Sequence, residues 1–296
     1  MQDTSRSNPP LAAALTLAAA AFVAGTTLLA KALGTEALGP PIHPLQISHG
    51  RFLFALLTIL IFVAAMRPRL TQPNVRLHIL RSCLGWGGVT LMFAAAAFIP
   101  LSDATAISFL NPVFCMMLAI PVLGERVGPV RWAAALIALL GAAILTRPGG
   151  SAVELGAFLA LGAAMLFGAE LIAIKRLSGF EAPVQILLIN NIFGLCIATA
   201  AVLLVWAAPT PAQWAALAAL GVLMAAAQAC FVNAMARADA SFVAPFFYAA
   251  LVFAALYDSL AFGVRPDGVS AAGALVILAG AGLLAWREAL VGKRLR

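Results

Sequence analysis

The sequence predicts an all-α membrane protein: ten transmembrane helices arranged as two inverted repeats of five. Three observations carry this. The 296-residue chain is 64% hydrophobic and 10% charged, with mean hydropathy +1.04. It contains an internal duplication. Its basic residues are spread unevenly over the joins between apolar runs.

A soluble domain carries roughly 25% charged residues. This chain has too little polar surface to coat a water-facing body, so lipid must be its solvent. The net charge of +7 then indicates basic loops at an anionic membrane face rather than a nucleic-acid partner.

The duplication is clearest between residues 124–145 and 263–284, where ten of twenty-two positions agree at an offset of 139, including Gly124/Gly263, Arg126/Arg265, Gly141/Gly280 and Leu145/Leu284. Pro44, Gln46, Ile47 and Phe54 fall on Pro183, Gln185, Ile186 and Phe193. Lys31 aligns with Lys175, and Asp103-Ala104 with Asp239-Ala240. Proline and polar positions match in order, which two unrelated apolar helices would not do. An offset near half the chain indicates one duplicated unit. The repeats are assigned to residues 11–147 and 154–287 of a single membrane domain, 1–296.

A helix needs about 20 apolar residues to cross a ~30 Å hydrocarbon core. Ten stretches qualify: 11–33, 44–65, 77–98, 102–123, 129–147, 154–177, 183–207, 212–236, 240–262 and 269–287. Proline, glycine and charge mark the joins, as in Gly39-Pro40-Pro41, Arg67-Pro68-Arg69 and Pro209-Thr210-Pro211. The first stretch reads as a retained helix rather than a cleaved leader, because it is long for a leader core and further spans follow. In this register, 13 lysines and arginines fall on the side of both termini and 3 on the other, with Arg51 and Arg81 inside spans. The positive-inside rule then puts both termini in the cytoplasm of a cell whose inner membrane holds the protein. An odd number of helices per repeat inverts the second copy, a plan that puts a binding site near midplane. A cavity is expected along the first, third, fourth, sixth, eighth and ninth helices, with the fifth and tenth at the periphery.

His49-Gly50-Arg51-Phe52 opens the second helix, Asn111-Pro112-Val113-Phe114 breaks the fourth, and Gly124-Glu125-Arg126 closes it. In this order within a five-plus-five duplication, these motifs resemble the drug/metabolite transporter superfamily, specifically the ten-helix EamA-type exporters. The second copy departs from that pattern, with Val264 at the acidic position and Ala244-Pro245 in place of Asn-Pro. The resemblance covers essentially the whole chain. It implies alternating-access export of small amphipathic metabolites, and the alanine-rich composition is similar to the amino-acid exporting branch. The implied partners are such a small molecule and the bilayer, with the chain as monomer or homodimer and no cofactor.

Ionisable groups within spans are costly and mark function. Glu170 reads either as a cavity carboxylate binding a substrate amine or a proton, or as an acceptor buried between helices. Lys31 reads as a carboxylate ligand or a snorkelling lysine. Asn111, Gln228 and Asn233, with Asn190 and Asn191, read as cavity lining or helix glue. Trp86 and Tyr248 lie away from the interfacial belts and are candidates for contact with an apolar substrate. His49, Arg51, Pro112, Tyr257 and Asp258 read as gating or structural, with Arg51 pairing to helix-end carbonyls or contacting a substrate carboxylate. Arg81, one turn into its helix, is expected to snorkel. Asp103 and Asp239 read as N-caps.

Enzymatic classes find little support. His43, His49 and His78 lack the spacing of a zinc protease, and no glycine-rich phosphate loop exists for direct ATP drive. The four cysteines, Cys83, Cys115, Cys196 and Cys230, have no CxxC pairing and read as small buried hydrophobes.

Overall fold

A computed structural model describes residues 8–68, 70–96, 98, 104, 107–146, 154–262 and 268–294. Asp103, Val264, Arg265 and the 147–153 linker lie outside these, as does the Asp258 side chain. The described residues form helices α1 (Pro9–Gly34), α2 (Pro44–Met66), α3 (Val75–Ala96), α4 (Asn111–Leu123), α5 (Pro129–Thr146), α6 (Glu154–Phe180), α7 (Pro183–Val202), α8 (Pro211–Met235), α9 (Ala240–Phe246), α10 (Ala249–Phe262) and α11 (Gly268–Arg294). There is no strand among them. Among the described residues, six helical stretches are long and apolar enough to cross a membrane: Pro9–Gly34, Pro44–Met66, Leu155–Phe180, Pro183–Val202, Pro211–Met235 and Ala240–Ala261. Asn111–Leu123, Pro129–Ile144 and Ala271–Arg287 are shorter apolar helices.

Local chemistry fixes the helix ends. Proline stands in the first turn of α1, α2, α7 and α8, where its missing N–H costs nothing. Asn8 Oδ1 accepts from Leu11 N at 3.1 Å, and His43 Nδ1 accepts from Leu45 N at 3.2 Å. Thr210 and Gln213 form a reciprocal capping box on α8. Gly124, at φ 69°, ends α4 in the left-handed conformation that glycine adopts freely.

Packing follows the duplication. The seam of α3 on α6 has its counterpart in α1 on α8, and α5 packs directly on α11. That last seam joins the two copies of the repeated segment and requires glycine. A Cβ on Gly141 would lie 2.6 Å from Ile277 N and 2.8 Å from Gly273 O, and one on Gly280 2.8 Å from Ala134 O. The outer faces of this pair carry exposed Leu136, Leu140, Leu275 and Trp286, so it sits at the periphery. Asn8 N donates to Arg237 O, and a Cβ on Gly128 would lie 3.8 Å from Arg287 Nη2. Both ends of the described chain therefore lie at one end of the bundle. Cys83 and Cys196 are exposed on its surface, contrary to the expectation of four buried thiols, while Cys115 is buried.

Polar links tie the copies together, three of them at positions singled out by sequence. At the end shared by the termini, Glu181 Oε1 accepts from Asn74 N at 2.7 Å, and Oε2 from Gln185 Nε2 at 2.8 Å, with His78 Nε2 at 2.9 Å. Gln185 Oε1 accepts from Thr71 N at 2.8 Å. Gln46, the counterpart of Gln185, makes the mirrored link at the opposite end: its Oε1 accepts from Ala207 N at 3.0 Å and its Nε2 donates to Ala207 O at 2.5 Å. The third link corrects two sequence expectations. Asp239 precedes α9, but the capping carboxylate is Glu125, which accepts from Ala240 N at 2.8 Å, Ser241 N at 3.0 Å and Ser241 Oγ at 2.6 Å. Asp239 instead receives Arg131 Nη1 at 2.9 Å. Lys175, counted above among the loop charges, is inside α6 and donates to Met235 O at 2.7 Å and Ala238 O at 2.5 Å, satisfying carbonyls left open at the end of α8.

Candidate functional site

A cavity of about 420 Å³ lies between α2, α3, α6 and α7, with Gln228 of α8 at its back. Its volume falls within the range of small-molecule sites. The position differs from the set of helices expected above, for two packing reasons. Gly168 lets α6 close onto α4: a Cβ there would stand 2.8 Å from Phe114 Cβ and 3.0 Å from Asn111 O. That contact leaves α4 out of the lining. Meanwhile α2 packs closely along α8, whereas its counterpart α7 barely touches α3. The space between α3 and α7 is the cavity.

Its walls are apolar and aromatic, from Phe52, Trp86, Val89, Phe167, Phe193 and Ile197. Ser48, Ser82, Asn190 and Gln228 add polar groups, and three charges face inward: Arg51, Arg81 and Glu170. By helix rise, Arg81 and Asn190 lie about 10 Å from the end that carries the termini, and Arg51 about 10 Å from the opposite end. Pro44, Leu45 and Ala201 carry the lining out to that opposite end.

Glu170 is in this cavity. Its Oε1 lies 3.5 Å from Arg81 Nε, with side chains 24% and 8% exposed respectively. Arg81 thus does not snorkel. In a low-dielectric interior a charge is retained where an opposite charge meets it. Gly85 makes room for the pair, since a Cβ there would stand 3.0 Å from Glu170 Cδ. Arg51 also departs from its expected role: its guanidinium lies over the Phe52 ring, 4.2 Å from the centroid, on the cavity wall. Gln228 Oε1 accepts from Asn191 Nδ2 at 2.7 Å while lining the cavity, so it serves as both glue and lining. Trp86 is 59% exposed along the wall.

The remaining candidates lie elsewhere. Lys31 lines a second cavity of about 270 Å³ with Thr27, Leu28 and Ala254 between α1 and α10. Tyr257 lies near it, its Cε2 4.0 Å from where a Gly25 Cβ would be, and its ring 6.3 Å from that of Phe253. Tyr248 is buried against Ala138, Ala142 and Ile277, its hydroxyl donating to Phe109 O, which occupies it structurally. Asn233 Oδ1 accepts from Arg237 Nη1 at 2.7 Å at the end of α8. Asn111 Nδ2 donates to Ser108 O at 2.9 Å at the start of α4, beside buried Pro112. His49 meets the Trp206 ring edge-on at 6.2 Å.

Sequence reading did not anticipate the Arg81–Glu170 pair, the Glu181–His78 cluster or the Glu125 cap. No pattern within either helix signalled the first, because Arg81 near the start of its helix reads equally as a rim arginine. For Gln46 and Gln185 the signal was their alignment in the two repeats.

Apolar helices tied copy to copy around a solute-sized cavity, with charges paired inside it, define a multi-pass membrane carrier. The chain belongs to the EamA-like transporter family, whose profile matches residues 10–147 and 154–286. Its relatives are transporters. It is 35% identical over 207 residues to a riboflavin transporter of Rhizobium johnstonii, covering 68% of this chain and 67% of that one. A riboflavin transporter of Vibrio cholerae is 32% identical, with 77% and 78% covered. An S-adenosylmethionine uptake transporter of Rickettsia bellii is 27% identical, with 81% and 83% covered. A pseudopaline exporter of Pseudomonas aeruginosa is likewise 27% identical, over 77% and 81%. A solved crystal structure superimposes with TM-score 0.76 at 23% identity, covering 94% of this chain and 98% of that one, and shares the fold.

Proposed function

We propose that this protein is a secondary transporter that carries a small, partly aromatic metabolite across the inner membrane by alternating access, through the cavity between α2, α3, α6 and α7. In this reading ten helices form two inverted five-helix repeats with both termini cytoplasmic. The observation that carries it is the cavity itself: aromatic walls around an inward-facing Arg81–Glu170 pair, with Arg51 nearby. Aromatic faces suit a planar ring, and the paired charges suit its polar edge.

Riboflavin is the leading substrate, because the relatives from Rhizobium johnstonii and Vibrio cholerae, both above 30% identity, are riboflavin transporters. Export of amino acids, the expectation from sequence, is the second reading. The same ion pair offers a cation and an anion to a zwitterion.

The test is counterflow in proteoliposomes preloaded with riboflavin, phenylalanine or S-adenosylmethionine. Saturable accumulation of labelled riboflavin, strongest with riboflavin inside, is the expected result. Counterflow with phenylalanine alone selects the second reading. Accumulation no better than in empty liposomes for every solute overturns the carrier. A periplasmic reporter fused after Arg296 that proved active would overturn the topology.

A further inference from the structure

The polar floor of the cavity is chemically incomplete. Arg81 is 7% exposed, and its Nε and Nη1 are buried without a hydrogen-bond partner. The approach to Glu170 Oε1, at 3.5 Å, is an ion-pair contact but too long for a good hydrogen bond. Buried donors are nearly always satisfied in folded proteins, so an unsatisfied guanidinium facing a cavity needs a partner from outside the chain. The carboxylate beside it is a quarter exposed and keeps acceptor capacity. Arg51 shares the same cavity and lies within electrostatic reach of the same carboxylate. Its guanidinium face is taken by Phe52, which leaves the N–H groups at its rim for a ligand.

The cavity therefore offers one acceptor, Glu170, and donors on two sides of it, Arg81 at 3.5 Å and Arg51 on the same lining. A free carboxylate on the substrate would satisfy the two guanidiniums but bring a like charge against Glu170. A free amine would satisfy Glu170 but face two cations. A zwitterion can meet both signs; a neutral edge reading acceptor, donor, acceptor meets all three groups without bringing any charge. That edge is a cyclic imide, C=O, N–H, C=O, in the plane of a heteroaromatic ring. The aromatic walls at Phe52, Trp86 and Phe167 would take the ring behind it.

We infer that Arg81, Glu170 and Arg51 form a recognition edge for a cyclic imide, so that the substrates are heteroaromatics bearing one, the isoalloxazine of riboflavin included. This rests on the reading that the cavity is the transport site. The ring N–H would donate to Glu170, and the flanking carbonyls would accept from the two arginines. A site that hydrogen-bonds a substrate N–H discriminates strongly against the analogue lacking it.

The test uses the full-length protein in nanodiscs and two ligands, riboflavin and its N3-methyl derivative, with binding read by flavin fluorescence. Methylation removes the donor and puts a methyl group against the Glu170 carboxylate, so the derivative should bind at least about tenfold more weakly. Arg81→Lys keeps the charge but loses the fork and should weaken riboflavin binding toward that of the derivative. The comparison of two ligands on unaltered protein stands even if the variant does not fold. Equal binding of the two flavins overturns the inference, as does displacement of riboflavin by phenylalanine at equal concentration, which would mark a carboxylate site. Binding of neither flavin by protein that shows counterflow with another solute overturns the imide edge and leaves the carrier standing. Absence of counterflow with any solute overturns the carrier reading itself.

Discussion

Gly221→Ala probes the seam that closes one side of this bundle. Gly221 lies where α8 crosses α2, and a Cβ there would stand 2.4 Å from Phe54 Cβ, 2.8 Å from Ala55 N and 2.9 Å from Phe54 C. Two of these atoms are backbone and the third is a Cβ, so no side-chain rotation relieves the clash and the helices must move apart. Overpacking of this kind costs about 1–3 kcal/mol. Alanine returns up to ~1 kcal/mol through helix propensity. Gly282→Ala on α11 is the internal control, because its added Cβ meets nothing within 4 Å and only the propensity gain applies. The two variants make the same chemical change and should shift stability in opposite directions, a separation of about 1–3 kcal/mol. Thermal unfolding of the purified variants in one detergent, followed by tryptophan fluorescence, measures it. A midpoint for Gly221→Ala at or above that of Gly282→Ala would show that the α2–α8 seam is not close-packed.

Other outcomes are expected from the same structure. Gly141→Ala and Gly280→Ala, which face each other's helix backbone in the α5–α11 seam, should each lower the unfolding midpoint. Together they should deviate from additivity, because they share one interface; additive shifts would mean the seam is looser than described. Glu125→Gln removes the carboxylate that caps α9 and should cost about 1–2 kcal/mol; an unchanged midpoint in a thermal-shift assay would refute the cap. Glu170→Gln keeps size but leaves buried Arg81 without its counter-charge, so it should lower the unfolding midpoint as well as weaken substrate transport or flatten its pH dependence. Transport at the wild-type rate from mildly acidic to neutral pH would make Glu170 a structural residue.

The helical membrane class was legible because composition alone forbids a water-facing body, and helix starts were legible where proline and a capping residue stand together, as at Asn8-Pro9 and Thr210-Pro211. Glu170 was legible as a cavity group because a lone carboxylate in an apolar run has few other uses. Its partner was not. Arg81 stands one turn into α3, and position along a helix does not tell whether an arginine reaches the rim or turns inward to a helix of the other copy. Tyr248 fails in the opposite sense: an aromatic with a hydroxyl deep in a span suits a ligand, but the carbonyl of Phe109 already takes that hydroxyl. Asp239 held the N-cap position by sequence, yet the capping charge came from Glu125, which lies on the other repeat. In each case the missing information is which face of one repeat meets which face of the other, and no pattern within a single helix encodes that.

The two repeats are near copies, and the cavity lies where they stop being equivalent. Gln46 and Gln185 occupy matching positions and make matching links to backbone, one at each end of the bundle. The residue four before Gln185 is Glu181, which gathers Asn74, His78 and Gln185; the residue four before Gln46 is Ile42, an apolar side chain. Both ends are held: near the termini the Glu181 cluster joins α3 to α7, and at the other end Gln213 Nε2 donates to Pro40 O at 2.7 Å and Thr210 Oγ1 to Leu38 O at 3.3 Å. Toward the other end α3 and α7 part around Arg81, Glu170 and Phe193. Their counterparts α8 and α2 run together through Gly50 against Leu217 and Gly221 against Phe54. A carrier built on this symmetry changes access when the open seam and the closed seam exchange roles. In such a carrier the free-energy difference between the two states resides in the positions where the copies differ, among them Glu181 opposite Ile42, while bonds from Thr210 to Leu38 and from Gln213 to Pro40 hold the Ile42 end. A substrate drives that exchange only by binding the two states with different affinity. Groups such as Glu170 and Arg81, on helices from opposite repeats and facing the cavity, do this where the substrate meets them differently in the two states.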